Sequence, residues 1–248
     1  MYMEMESASM SDTNHAVPSW SFKDIAAALV FVLLGSYGFG MLLNLFFGNS
    51  FSSALLLLIA GFFQTLLFLG AAFFIVFLKG GNGLGQLGLK KSISADVLRK
   101  GFLGGALLFV VVLLSGVVAS FFIPMEAKPQ PFVDILVKAE TPFDIFVPFL
   151  VGGILAPLGE EIFFRGFAYP VLRGRFGAAY GIVGTAVFFS LLHFDIIRFL
   201  PIALGGVGLG WLYENTGSVY TPIIAHSVWN TAMLVLLLLI TRAMPQII

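Results

Sequence analysis

Three short stretches of this 248-residue chain carry side chains that could do chemistry together. The first is Gly159-Glu160-Glu161-Ile162-Phe163-Phe164-Arg165, two acids and a base set among large hydrophobes. Glu161 and Arg165 stand at i and i+4 with the acid on the N-terminal side, the favourable order for an ion pair on one helix face. Glu160 points about 100° away around the same helix, so that arginine need not neutralise it. The second stretch runs from Phe189 to His193 at the close of an apolar run. The third opens the last apolar run and holds His226 and Asn230, again i and i+4, about 6 Å apart along a helix axis. The remaining histidine, His15, lies in a polar tail and has no such setting.

Peptide hydrolysis needs a base for the water, an acid for the leaving amine, and donors aimed at the oxygen that gains charge. Glu160 could take a proton from a water held between it and His193 and return it to the departing nitrogen. His226 and Asn230 could donate to the oxyanion, a contribution whose loss typically costs about 100- to 1000-fold in rate. The chain has no cysteine and no serine in a G-x-S-x-G turn, so an attacking water fits better than a covalent nucleophile. A second version uses zinc, with Glu160, His193 and His226 as three ligands and the fourth position left to water. The H-E-x-x-H spacing of many zinc peptidases is absent. Direct water activation and metal assistance both stay open, with Glu160 and His193 essential to either.

The elements that must position these groups are membrane helices. Hydrophobic residues make up 59% of the chain and charged ones 10%, against about 25% in an ordinary soluble domain. Thirteen basic and thirteen acidic side chains cannot solvate a globule that also carries 28 Phe. Zero net charge, with no basic patch interleaved with aromatics, excludes nucleic acid as a partner. Apolar runs occur at Ile25 to Phe47, Ala54 to Leu78, Gly101 to Ile123, Ile145 to Leu158, Ala178 to Phe194, Phe199 to Tyr213 and Thr221 to Ile240. Some of the later runs are short or broken by Pro148, Pro157 and Pro201, which a membrane tolerates only where protein covers the loosened backbone. The expected fold class is all-α, a polytopic bundle around a polar cavity. Residues 1–24 read as a polar, disordered tail without the basic start of a signal peptide, and 25–248 as one membrane domain. The loop from Lys79 to Lys100 holds five basic residues (Lys79, Lys90, Lys91, Arg99, Lys100) against Asp96, which puts it and the N-terminus in the cytoplasm and the stretch Pro124 to Asp144 outside. An ionised side chain at the helix centre costs about 2.5–3.5 kcal/mol on insertion scales, so the three polar stretches are expected to share one pocket rather than face lipid. Gly205, Gly206, Gly208 and Gly210 read as packing residues that let helices approach closely.

The three motifs together resemble those of the CPBP intramembrane proteases, the family of CAAX prenyl-protein endopeptidases and bacterial Abi or bacteriocin-immunity proteins. E-E-x-x-x-R stands at Glu160, Glu161 and Arg165, F-x-x-x-H at Phe189 and His193, and H-x-x-x-N at His226 and Asn230. The likeness covers about 143–233 and extends to Phe164-Arg165-Gly166 and Thr216-Gly217-Ser218. It implies that Glu160 and His193 activate water, that His226 and Asn230 stabilise the oxyanion, and that Glu161, Arg165 and Phe189 support the site. It also implies seven to eight transmembrane helices; the amphipathic stretch Ile162 to Leu172 is the candidate for the extra one. The expected partners are membrane lipid and a peptide or lipidated protein substrate, in a bacterial cytoplasmic membrane.

Two other functions use the same residues. A non-catalytic immunity or scaffold protein would need the polar cluster only to hold helices in register, and would tolerate alanine at Glu160 and His193. A transporter or proton pathway would use the intramembrane carboxylate and histidines for flux, and would be expected to show broken helices in paired, symmetry-related positions, which the sequence lacks.

Overall fold

The computed structural model describes residues 18–80, 83–89, 92–122 and 131–243. The helices are α1 (Phe22–Phe47), α2 (Ser53–Leu78), α3 (Ala95–Phe122), α4 (Pro131–Val137), α5 (Pro142–Phe176), α6 (Ala178–Leu191), α7 (Ile196–Thr216) and α8 (Tyr220–Ala243). Among the described residues, six of them are long and apolar enough to cross a membrane, all except α4 and α6. The 14-residue α6 is apolar but short, so the seventh expected span does not reach crossing length by itself. Of the expected N-terminal tail, residues 1–17, with His15, lie outside the described residues. So do Lys90 and Lys91 of the basic loop and residues 123–130 of the stretch assigned to the outer side. Helix α1 starts at Phe22, where the Asp24 carboxylate accepts from the Ser21 backbone N–H at 2.8 Å and satisfies a group the first turn would leave orphaned.

Helix α5 departs most from the sequence reading. In place of a span ending near Leu158 and a separate amphipathic element from Ile162, one helical run of 35 residues continues to Phe176. Thr141 caps its start, with Asp144 N–H donating to Thr141 Oγ1 and Thr141 N–H to the Asp144 carboxylate. Two segments of the run, Val151–Leu155 and Ile162–Ala168, are π-helical, and each ends two residues before a proline, Pro157 and Pro170. A proline ring removes one backbone donor and crowds the carbonyl one turn earlier. The wider π turn relieves that crowding, so the chain passes both prolines without stopping. The loosened backbone is covered by protein. On α2, the Thr65 hydroxyl lies 2.9 Å from Gly61 O in its own helix and 3.1 Å from Leu155 O at the end of the first π segment.

Around α5, α8 packs along α3, α6 against α7, α7 against α3, and α1 against α2. Small residues set several of these distances. A side chain at Gly205 would meet the Trp229 ring, and one at Gly206 would meet Ala186. Large side chains such as Phe77, Phe121 and Phe122 point outward, as a lipid solvent allows. Before α1, the buried Trp20 donates from Nε1 to Phe167 O at 2.8 Å and stacks on the Phe167 ring at 5.3 Å. Beyond the site, Arg173 of α5 grips Glu214 of α7 through Nε and Nη2, and Tyr169 OH donates to the same carboxylate at 2.7 Å. The connection between α2 and α3 also reaches the core: Leu87 is fully buried and Gly88 O accepts from Val219 N–H. Its closest approach is at Gly166 in the second π segment, where an added Cβ would stand 2.8 Å from the Leu87 carbonyl oxygen. Because that neighbour is backbone, Gly166→Ala is expected to destabilise the fold by about 1–3 kcal/mol, the usual cost of overpacking. Thermal unfolding in detergent measures it, and an unchanged midpoint would contradict the close approach.

Candidate active site

The site is built on the middle of α5. Glu161 and Arg165 are essentially inaccessible, at 0% and 1% exposure, and Arg165 Nη1 donates to Glu161 Oε1 at 2.9 Å, the i, i+4 pair read from the sequence. Arg165 Nη2 donates to Gly206 O of α7 at 3.1 Å. The same Glu161 oxygen also accepts from His226 Nδ1 of α8 at 2.8 Å, a bond between residues 65 apart in the chain. That last contact had no signal in the spacing of the motifs.

One aromatic ring gathers the rest. Phe189 of α6 lies 4.9 Å beneath the Arg165 guanidinium, with its ring centroid 4.8 Å from the His193 imidazole and 5.8 Å from that of His226. His226 is also stacked on Trp229 at 5.1 Å. Both imidazoles are oriented through Nδ1. Glu161 holds that of His226, and the Phe189 carbonyl, 3.0 Å away, holds that of His193. A carboxylate or carbonyl only accepts, so Nδ1 carries the hydrogen in each ring and a neutral ring keeps its lone pair on Nε2. His226 therefore donates from Nε2 only as the imidazolium, whose charge would lie against Glu161.

Glu160 behaves as its position one residue away on the helix implies. It is half-buried, makes no hydrogen bond among the described residues, and lies within electrostatic reach of His226, His193, Glu161 and Arg165. Asn230 is committed elsewhere: its Nδ2 donates to Gly152 O in the first π segment of α5 at 2.8 Å, which leaves its second N–H for other use. Two further polar atoms here, Glu161 Oε2 and Arg165 Nε, are buried with no partner. Among the described residues no group of three or more His, Asp or Glu side chains is arranged as a metal site. A cavity of about 710 Å³ lies elsewhere, between α1, α2, α4 and the start of α5, bordered by Asn44, Leu57, Ala60, Asp134 and Lys138.

Residues 142–232, which span α5 to most of α8, match the family described as type II CAAX prenyl endopeptidase Rce1-like. Over this segment the chain is similar to the type II CAAX prenyl endopeptidases. The Bacillus subtilis (strain 168) protein named "Putative membrane peptidase YdiL" is 28% identical over 87 residues, 35% of this chain and 36% of that relative. The match thus spans about a third of the relative's length. No solved structure gives a significant match. The matched segment contains all three polar motifs, whereas the chain before residue 142 lies outside it and supplies the Trp20, Thr65 and Leu87 contacts that brace it.

The two adjacent glutamates of the matched segment differ in what they hold. Removing one partner of a buried ion pair leaves an uncompensated charge at a cost of about 3–5 kcal/mol, so Glu161→Ala is expected to lower stability by that order. Glu160→Ala, which breaks no hydrogen bond, is expected to change it by less than about 1 kcal/mol. Thermal unfolding of both variants in the same detergent makes the comparison; equal losses would mean that the Glu161 carboxylate does not tie α5 to α8.

Proposed function

We propose that the chain is an intramembrane endopeptidase that hydrolyses a peptide bond of a membrane-associated substrate, of the prenylated CAAX type or bearing a leader. The observation that carries this reading is the contact of Phe189 with Arg165, His193 and His226 at once, which brings α5, α6 and α8 together within electrostatic reach of Glu160. The Rce1-like match of residues 142–232 and the printed name of the Bacillus subtilis relative support the same reaction class.

The charges suit acid–base chemistry. With Glu160 and Glu161 ionised and Arg165 charged, the cluster carries one excess negative charge, which a single proton on Glu160 or on an imidazole cancels. A carboxylate that can take up one proton and return it is what water activation requires. In this mechanism a water sits between Glu160 and His193 Nε2. Glu160 takes its proton as the oxygen attacks the carbonyl carbon, and delivers it to the amine nitrogen as the C–N bond breaks. The negative charge on the carbonyl oxygen is met by His226 as the imidazolium and by the uncommitted N–H of Asn230. Glu161 holds His226 in place, and Arg165 balances Glu161. No step is routed through a metal. In a bacterial cytoplasmic membrane, the basic loop from Lys79 to Lys100 sets the N-terminus on the cytoplasmic side.

The test is cleavage of prenylated and transmembrane peptides by purified protein in detergent. Glu160→Ala and His193→Ala are each expected to lower the rate by about 100- to 10,000-fold, the range of a lost general acid or base, while the protein stays folded. Cleavage that persists in both variants would refute the reading. A chelator added to the same assay is expected to leave the rate unchanged.

A further inference from the structure

Asn230 is bound to a carbonyl that has lost its natural donor. At the end of the first π segment, Ala156 N–H donates to Val151 O, five residues back. In that register the next donor, at residue 157, belongs to Gly152 O, and residue 157 is proline, which has no N–H. An unpaired buried carbonyl costs free energy on the scale of a lost hydrogen bond, and lipid offers no substitute. Asn230 Nδ2 supplies that bond from α8 at 2.8 Å. The two glycines of the turn let α8 come near enough: a side chain at Gly153 would meet Thr231 Oγ1 at 2.8 Å.

We infer that Asn230 is a positioning residue that stands in for the missing N–H of Pro157, and through it fixes the π turn that aims Glu160. A π turn holds one residue more than the α-helical turn it replaces, so its presence rotates everything downstream by about 100°. Glu160 lies eight residues beyond Gly152. Were the turn to slip to α register, Glu160 would face another side of the helix and Glu161 would leave His226. The inference rests on the peptidase reading only for its kinetic readout, and it gives Asn230 a task besides donating its other N–H to the oxyanion.

The experiment is a double-mutant cycle. Asn230→Ala is expected to lower kcat by about 100-fold, as small misplacements of reacting groups do, with KM little changed. Pro157→Ala restores a backbone N–H at the position facing Gly152 O. In the Asn230→Ala background it is expected to return kcat by about tenfold or more, a coupling typical of groups that share one partner. A double variant that is folded but no more active than Asn230→Ala overturns the inference, because a backbone N–H at residue 157 cannot replace a donor to the substrate's oxygen. Thermal unfolding of the same four proteins gives a second readout that needs no substrate. Pro157→Ala should recover the midpoint lost in Asn230→Ala, and strictly additive shifts would overturn the inference. If the wild type cleaves nothing while the midpoints couple, the peptidase reading fails and the positioning role stands.

Discussion

A single carboxylate oxygen, Glu161 Oε1, accepts from Arg165 of its own helix and from His226 of α8, where Glu161 and Arg165 are essentially out of reach of solvent. Taking such charges out of water costs several kcal/mol per ion, and their attraction offsets this only when the geometry is good. Here the geometry also does something else. Arg165 extends the link to Gly206 of α7, and its guanidinium lies over the Phe189 ring of α6. Four helices are therefore held by one connected set of polar and aromatic contacts, and Glu160, adjacent in sequence, is left without a bond of its own.

The prolines of α5 extend the same logic to the backbone. In water a freed carbonyl can turn to solvent; in a bilayer it must find a protein donor. Two donors from neighbouring helices meet the first π segment, the Thr65 hydroxyl at Leu155 O and the Asn230 amide at Gly152 O, one from either flank.

What could be read from the sequence was what depends on scarcity and on local spacing. Ionisable residues are rare in this chain and costly in lipid, so Glu160, His193 and His226 stood out against their surroundings. The Glu161–Arg165 pair needed only the i, i+4 rule. The bond from His226 to Glu161 could not be read, because it joins residues 65 apart and depends on how α8 packs. Nor could the commitment of Asn230 to Gly152. The fold class followed from composition, but α5 was divided where it is continuous, since a proline in an apolar run reads as a stop and only tertiary support turns it into a π turn. Trp20 gave no signal: it precedes the apolar period of α1, yet it is buried 147 residues away from its partner in sequence.

That indole also bears on how the molecule is made. Its acceptor, Phe167 O, lies in the second π segment, so this hydrogen bond cannot form until α5 has been synthesised and inserted. Helices enter the membrane one by one and associate afterwards. The docking of Trp20 is therefore a closing event of biogenesis rather than an opening one.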